Sequence, residues 1–312
     1  MRIYYTDVFE LPLPDGHRFP MAKYRLLRQR VDDSDIRSGC KLLVPRAASD
    51  EQLKLVHAAD YVRRVTQGKL TPLEIRRIGF PWSEQMVERS RRSTGASIDA
   101  AVSALRDRIA LNLAGGTHHA FPDSGQGYCV FNDVAVACRV LQAEHGLQRV
   151  LIIDCDVHQG NGTAAIFHRD PDVYTFSMHC DKNYPFRKMQ STLDVELPVG
   201  TGDFDYLRQL DQALHRIERE FVPEFVFYVS GADPYEFDRL GQLKLTRQGL
   251  SQRDQRVFEF CQELQVPCVA TMAGGYAPQL GDIIEIHFQT VVQAFKHFRN
   301  GVDCNWPTRG LG

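Results

Sequence analysis

The chain has 312 residues, 43% of them hydrophobic and 24% charged, the balance of an ordinary globular protein with ample material for a core. Its 37 basic and 39 acidic side chains create no overall field that would gather nucleic acid or anionic lipid, so neither is expected as a partner. No apolar run approaches the ~18 residues of a membrane span, and MRIYYTDVFELPLPDGHR at the N-terminus has acidic residues and prolines where a secretory signal needs an apolar stretch, so a cytoplasmic protein is expected.

RIYYT predicts a first strand, and the prolines of LPLPDGHRFP then impose a loop because they cannot join a ladder. A helix is expected from about Met21 through KYRLLRQRV. Ser49, Asp50 and Glu51 offer capping chemistry for a helix through LKLVH, and another follows through DYVRRV. His57, between the two, reads as a structural or exposed histidine. Gly68 to Ser83 mixes proline, glycine and large apolar residues and reads as a long surface loop. A helical pattern then runs from Glu84 to about Arg106. The basic concentrations, Arg76/Arg77 and Arg89/Arg91/Arg92, read as solvated helix faces.

ALNLAGG is the next strand and turn, and Asn132 or Asp133 caps a helix through VAVACRVLQAEHG. LIID, VYTFSM, LDVEL, FVFYVSG and VPCVATMAGG supply further strands, most of them separated by helical patterns at Asp203 to Phe221, Arg247 to Leu264 and Asp282 to Phe298. Strands apolar on both faces, alternating with helices, predict one α/β domain over residues 1–312 on a largely parallel sheet. The eight cysteines show no CxxC spacing and several sit in apolar runs, as reduced, buried thiols do.

Chemistry collects after the strands. In LIIDCDVHQGNGT, strand alternation would put Asp154, Asp156 and His158 on one side and Cys155 and Val157 on the other. Two carboxylates and an imidazole on one edge suggest a metal site, although a polar strand end followed by a helix cap has the same composition. His118 and His119 follow two glycines past another strand end, by function or by chance. Ser177 and His179, Asp233 and Tyr276 also follow strands. In a parallel sheet those ends face one way and can converge on one crevice.

GGTHHAFPDSGQGYCVFND, IIDCDVHQGNGT, SGADPYEFDRLGQLKLT and AGGY, in that order, resemble the zinc-dependent histone deacetylase family, which includes bacterial acetylpolyamine amidohydrolases. The likeness runs from about His17 to Tyr276, and the DRLGQLKLT segment is most similar to the class IV branch. It implies the arginase/deacetylase fold, a three-layer α/β/α sandwich. It also implies zinc ligands Asp156, His158 and Asp233, with one position left open for water and substrate. The resemblance further assigns His119 as the base that takes the water proton, His118 as its electrostatic partner, and Asp154 and Asn161 as the groups orienting His118 and His119. It makes Tyr276 the hydrogen-bond donor to the oxyanion, and Gly127, Tyr128 and Tyr184 the walls of an acyl-lysine tunnel. A potassium ion would be held by Asp154, Ser177 and the carbonyls of Asp156, His158 and Met178.

Two departures accompany the likeness. Asn161 stands where some relatives have an aspartate, and Pro81 stands where class I members hold the substrate backbone with an acidic residue. Without long terminal extensions a corepressor assembly is not expected. The implied activity is removal of an acetyl or longer acyl group from protein lysine, or from an acetylated polyamine or other small amine. A dinuclear manganese ureohydrolase would need a DxHxD pattern, whereas Gln159 and Gly160 follow His158. A binding protein that has lost its chemistry is the remaining reading. Acyl length, oligomeric state and partner are not written in the residues.

Overall fold

The computed structural model describes residues 1–303, so Cys304 and the end of the expected 1–312 domain lie outside the described residues. Eight strands form one sheet: β1 (Arg2–Tyr4), β2 (Lys41–Leu43), β3 (Ile109–Asn112), β4 (Val150–Asp154), β5 (Val173–Cys180), β6 (Leu193–Leu197), β7 (Phe225–Val229) and β8 (Cys268–Thr271). They lie in the order β2-β1-β3-β8-β7-β4-β5-β6, and every pairing is parallel.

The expected three-layer α/β/α sandwich follows from strands that are apolar on both sides. Leu151 and Ile153 of β4 enter one core with Tyr206, Leu210, Val257, Phe258 and Val291. Those partners lie on α8 (Asp203–Glu220), α9 (Arg247–Glu263) and α10 (Leu280–Asp303). Val150 and Ile152 enter the other core with Val62, Ala100, Val136 and Val140, from α3 (Ala59–Thr66), α5 (Glu84–Asp107) and α6 (Asp133–His145). A period of two along each strand thus feeds two helical layers. Small residues let α5 approach closely: a side chain at Gly95 would meet the Arg46 carbonyl oxygen at 1.8 Å. Among the described residues no helix is long and apolar enough to cross a membrane, and the seven described cysteines are buried and unbridged.

Three local expectations need correction. Gly68 to Ser83 is not one loop, because α4 (Pro72–Ile78) occupies its middle. Its signal is capping rather than periodicity: Thr71 and Glu74 form a capping box, Pro72 opens the helix, and Gly79 closes it at φ 85°. The helix expected through LKLVH, α2 (Asp50–Lys54), begins earlier and stops before His57. The Arg89/Arg91/Arg92 group is not a solvated face. Arg89 is buried with its guanidinium over Tyr24 at 4.6 Å, Arg91 donates to the Ala48 carbonyl at 3.0 Å, and Arg92 to the Pro45 carbonyl at 2.8 Å. Arg76 and Arg77 are exposed, as expected.

Candidate metal centre

The carboxyl ends of β3, β4, β7 and β8 are adjacent in the sheet, so the loops leaving them share one crevice. β4 ends at Asp154, and Asp156 and His158 lie on the turn beyond it. Continued strand alternation is therefore not what groups them. The turn nevertheless sorts the side chains as expected, sending Cys155 and Val157 into the core.

Asp156, His158 and Asp233 are buried and could together hold a metal ion, their ligand atoms lying within 4.8 Å of one another. His158 Nδ1 is 2.9 Å from Asp156 Oδ1 and 3.2 Å from Asp233 Oδ2. Those spacings suit donors each about 2 Å from a shared ion. Asp233 Oδ2 is buried without a hydrogen-bond partner, with only the ion-pair approach of His158 Nδ1 at 3.2 Å. An orphaned carboxylate oxygen is costly, and a cation is what its chemistry fits. The cradle is made by absence of side chains: a Cβ at Gly274 would meet Asp233 Oδ2 at 2.0 Å and Asp156 Oδ2 at 2.7 Å. Burial pushes the Asp233 carboxyl up to about 7, with the Asp156 charge adding to it. Among the described residues no second cluster of this kind occurs.

The two histidines differ in their partners. His118 Nδ1 meets Asp154 Oδ2 at 2.6 Å, and His119 Nδ1 meets Asn161 Oδ1 at 2.7 Å. Their rings are 4.1 Å apart. Burial would lower the His118 pKa, yet the carboxylates of Asp154 and Asp156 outweigh it and push it up to about 9. His119 is driven well below its ordinary value by burial and by the cationic tendency of His118 and His158. An amide oxygen can only accept, so His119 carries its proton on Nδ1 and keeps the Nε2 lone pair free. The two partners thus bias the rings in opposite directions, His118 toward its charged form and His119 toward its neutral one.

Tyr184 packs its ring 4.9 Å from His119 and 6.4 Å from His158. Gly127 lies between, at φ 57°, where a Cβ would stand 2.7 Å from His119 Cδ2 and 3.4 Å from Tyr184 Cε1. Tyr128 lies 6.1 Å from the Tyr276 ring. The helix missed in the sequence supports this wall, because Gly127 and Tyr128 donate their amides to the carbonyls of Arg77 and Ile78 at 3.0 and 2.7 Å. The Tyr276 phenol is held protonated, first by burial and then by the carboxylates of Asp233 and Asp156. Asp154 pairs in register with Ser177, and Met178 is buried on the same strand. Pro81 is exposed.

The sequence did not show which residues support the site. Asp133 accepts from Gly116 N at 3.2 Å, Thr117 N at 2.7 Å and Thr117 Oγ1 at 2.6 Å, which sets the turn into His118. Arg253, fully buried, donates to the carbonyls of Cys155 at 3.2 Å and Gly231 at 2.7 Å, bracing from behind the loops that carry Asp156 and Asp233. His57 is structural rather than exposed: Nδ1 donates to Phe121 O at 3.0 Å and Nε2 accepts from Asn132 N at 3.0 Å.

Burial lowers the His57 pKa from 6.5 to about 4. The unfolded chain therefore binds more protons between those values, and stability is lost as pH falls through that window, by roughly 3 kcal/mol in all. His57→Asn is expected to lose this part of the pH slope, which denaturant titrations at pH 7, 5.5 and 4.5 would read; an unchanged slope would refute the assignment.

One parallel sheet between helical layers thus carries, at its carboxyl edge, a buried Asp/His/Asp cluster and two oriented histidines. A family model for the histone deacetylase domain matches residues 17–291. The chain is 32% identical over 289 residues to histone deacetylase 2 of Arabidopsis thaliana, covering 89% of this chain and 74% of that one. It is 43% identical over 285 residues to an uncharacterized protein of Picosynechococcus sp., covering 91% and 95% respectively. The crystal structure of a histone deacetylase homolog from Aquifex aeolicus superposes with a TM-score of 0.81 at 24% identity, over 95% of this chain and 83% of that one. The chain belongs to the histone deacetylase family.

Proposed function

We propose that this chain is a zinc-dependent amidohydrolase, one catalytic domain over 1–312, that removes an acetyl or longer acyl group from lysine side chains of proteins. The observation that carries the reading is His119, oriented by Asn161, beside the Asp156/His158/Asp233 cluster. Zinc held by those three residues would supply an acidified water and a polarised amide carbonyl. His119 Nε2 takes the water proton and returns it to the leaving amine. His118, cationic against Asp154, stabilises the negative charge of the transition state, and Tyr276 donates its hydroxyl to the developing oxyanion. Gly127, Tyr128 and Tyr184 enclose the methylene stem of the substrate.

Potassium would lie behind this site, on Asp154, Ser177 and the carbonyls of Asp156, His158 and Met178; the Asp154–Ser177 register supports it. We place the chain nearest the class IV branch on its DRLGQLKLT segment, and in the cytoplasm. Acetylated polyamines are the alternative substrates, favoured by Pro81 in place of an acidic backbone contact. The test is zinc-loaded protein assayed on lysine peptides of increasing acyl length beside acetylpolyamines, with metal content measured. Release of the carboxylic acid, leaving a free ε-amine on the intact peptide, with about one zinc per chain is expected; full occupancy by zinc with no hydrolysis of any of them would overturn the reading.

Gly127→Ala should strain the tunnel wall. A left-handed alanine costs about 1–2 kcal/mol, and its methyl presses on the His119 ring. A drop in kcat greater than the drop in thermal stability is expected, and wild-type turnover would contradict the placement.

A further inference from the structure

Gly274 is anchored: its amide donates to Asp156 Oδ2 at 2.9 Å and its carbonyl accepts from Ala232 N at 2.8 Å. Gly275 then passes through φ 154°, a conformation with little intrinsic preference, and two glycines in succession leave the direction of Tyr276 weakly determined. What catches the chain next is a side chain from another loop. Tyr276 N donates to Asp238 Oδ2 at 2.6 Å. The other oxygen, Asp238 Oδ1, accepts from Leu240 N at 2.8 Å and Gly241 N at 2.9 Å.

Those two bonds close a turn that is itself wedged into the site. A Cβ at Gly241 would meet the Asp233 carbonyl oxygen at 1.9 Å, so this turn lies directly against a proposed metal ligand. Asn183 donates to the Leu240 carbonyl at 2.5 Å and accepts from Gln242 N at 3.0 Å, tying the same turn to the loop that carries Tyr184. One half-buried carboxylate thus joins the Asp233 loop to the Tyr276 backbone. Its bonds are charge-assisted and accept-only, the strong and orienting kind.

We propose that Asp238 is a positioning residue for Tyr276, latching the Gly-Gly-Tyr turn to the loop beyond Asp233 and thereby setting where the phenol donates. The proposal rests on the reading of Tyr276 as the oxyanion donor. Asp238 touches neither substrate nor metal in this account and acts through Tyr276 alone.

Asp238→Ser separates the two functions of the carboxylate. A serine hydroxyl can still accept from the amides two and three residues on, but it is too short to reach Tyr276. Asp238→Asn is the nearly isosteric second variant, in which a donor replaces one of the two acceptor oxygens. For both, kcat on an acyl-lysine peptide is expected to fall about 10- to 100-fold, with zinc content, the absorption spectrum of the cobalt-substituted protein and the thermal melt retained. KM should stay within about twofold.

In a Tyr276→Phe background either change should alter the residual turnover by less than about twofold, because the group being positioned is gone. Wild-type kcat in the serine variant, an equal loss in both backgrounds, or a loss that follows zinc content or KM would overturn the proposal. Wild-type turnover by Tyr276→Phe alone would instead sink the reading of Tyr276, a result distinct from the others.

Discussion

Tyr276→Phe is expected to lower kcat about 100- to 1,000-fold, the roughly 2.7–4 kcal/mol that one oxyanion donor contributes. The phenol is suited to donate because burial and the Asp233 and Asp156 carboxylates keep it protonated. Removing the oxygen leaves the ring, which packs beside Tyr128 and Phe19 and under the Lys23 ammonium at 5.6 Å. The fold and the metal cluster should therefore be retained. A donor that acts in the transition state lowers kcat and kcat/KM together with KM little changed. Steady-state kinetics on one acyl-lysine peptide, with zinc content measured in parallel, is the check. Turnover within a few-fold of wild type would remove Tyr276 from the chemistry.

Asp233→Asn carries the second large effect, and it separates function from stability. The Asp233 carboxylate is buried against Asp156, and one of its oxygens has no hydrogen-bond partner. Without a cation such a group costs stability, as any buried charge in excess of its partners does. The neutral amide removes that cost, so the metal-free variant should unfold at a temperature no lower than the metal-free wild type. With zinc added the order reverses. An ion at about 100 times its Kd stabilises the folded state by about 2.7 kcal/mol, and the variant should lose this gain. Losing a ligand should weaken the metal by more than the roughly 100-fold that an outer partner costs. Thermal melts with and without zinc measure both halves. An equal zinc-induced shift in variant and wild type would show that Asp233 is not a ligand.

The buried network around Arg253 explains why the cluster keeps its geometry under this electrostatic load. Its guanidinium is paired with Asp254 at 2.8 Å, and Asp254 also accepts from Thr290 Oγ1 at 2.6 Å. With the pair satisfied, the same guanidinium is free to clamp the carbonyls of Cys155 and Gly231. Neighbours in sequence on α9 thus hold two loops that are far away in sequence but adjacent in the sheet.

Much of the architecture was legible in the residues. Strands with apolar side chains on both faces, alternating with amphipathic helices, admit few arrangements other than a parallel sheet between helical layers. The chemistry past their carboxyl ends was legible for the same reason, since all those ends must point one way. The errors came where local signals are short. α4 is announced only by its caps, and a period cannot register in so few residues. The arginines of α5 looked solvated because sequence alone does not reveal that Tyr24, Ala48 and Pro45 lie opposite them.

What the sequence by itself determined is the set of functional groups and the edge of the sheet on which they gather, because side-chain type and strand direction are local properties. The resemblance already implied separate roles for these groups, and only the tertiary structure shows the contacts that each one makes. Asp154 turns to His118 while Asp156 and His158 face Asp233, contacts that LIIDCDVHQGNGT alone does not fix because they depend on where β7 and the loop after β3 lie. The supporting contacts of Asp133, His57, Arg253 and Asp238 were not legible either. Each acts across a gap in the chain that only packing closes, and a buried polar bond declares itself only once both partners are out of water.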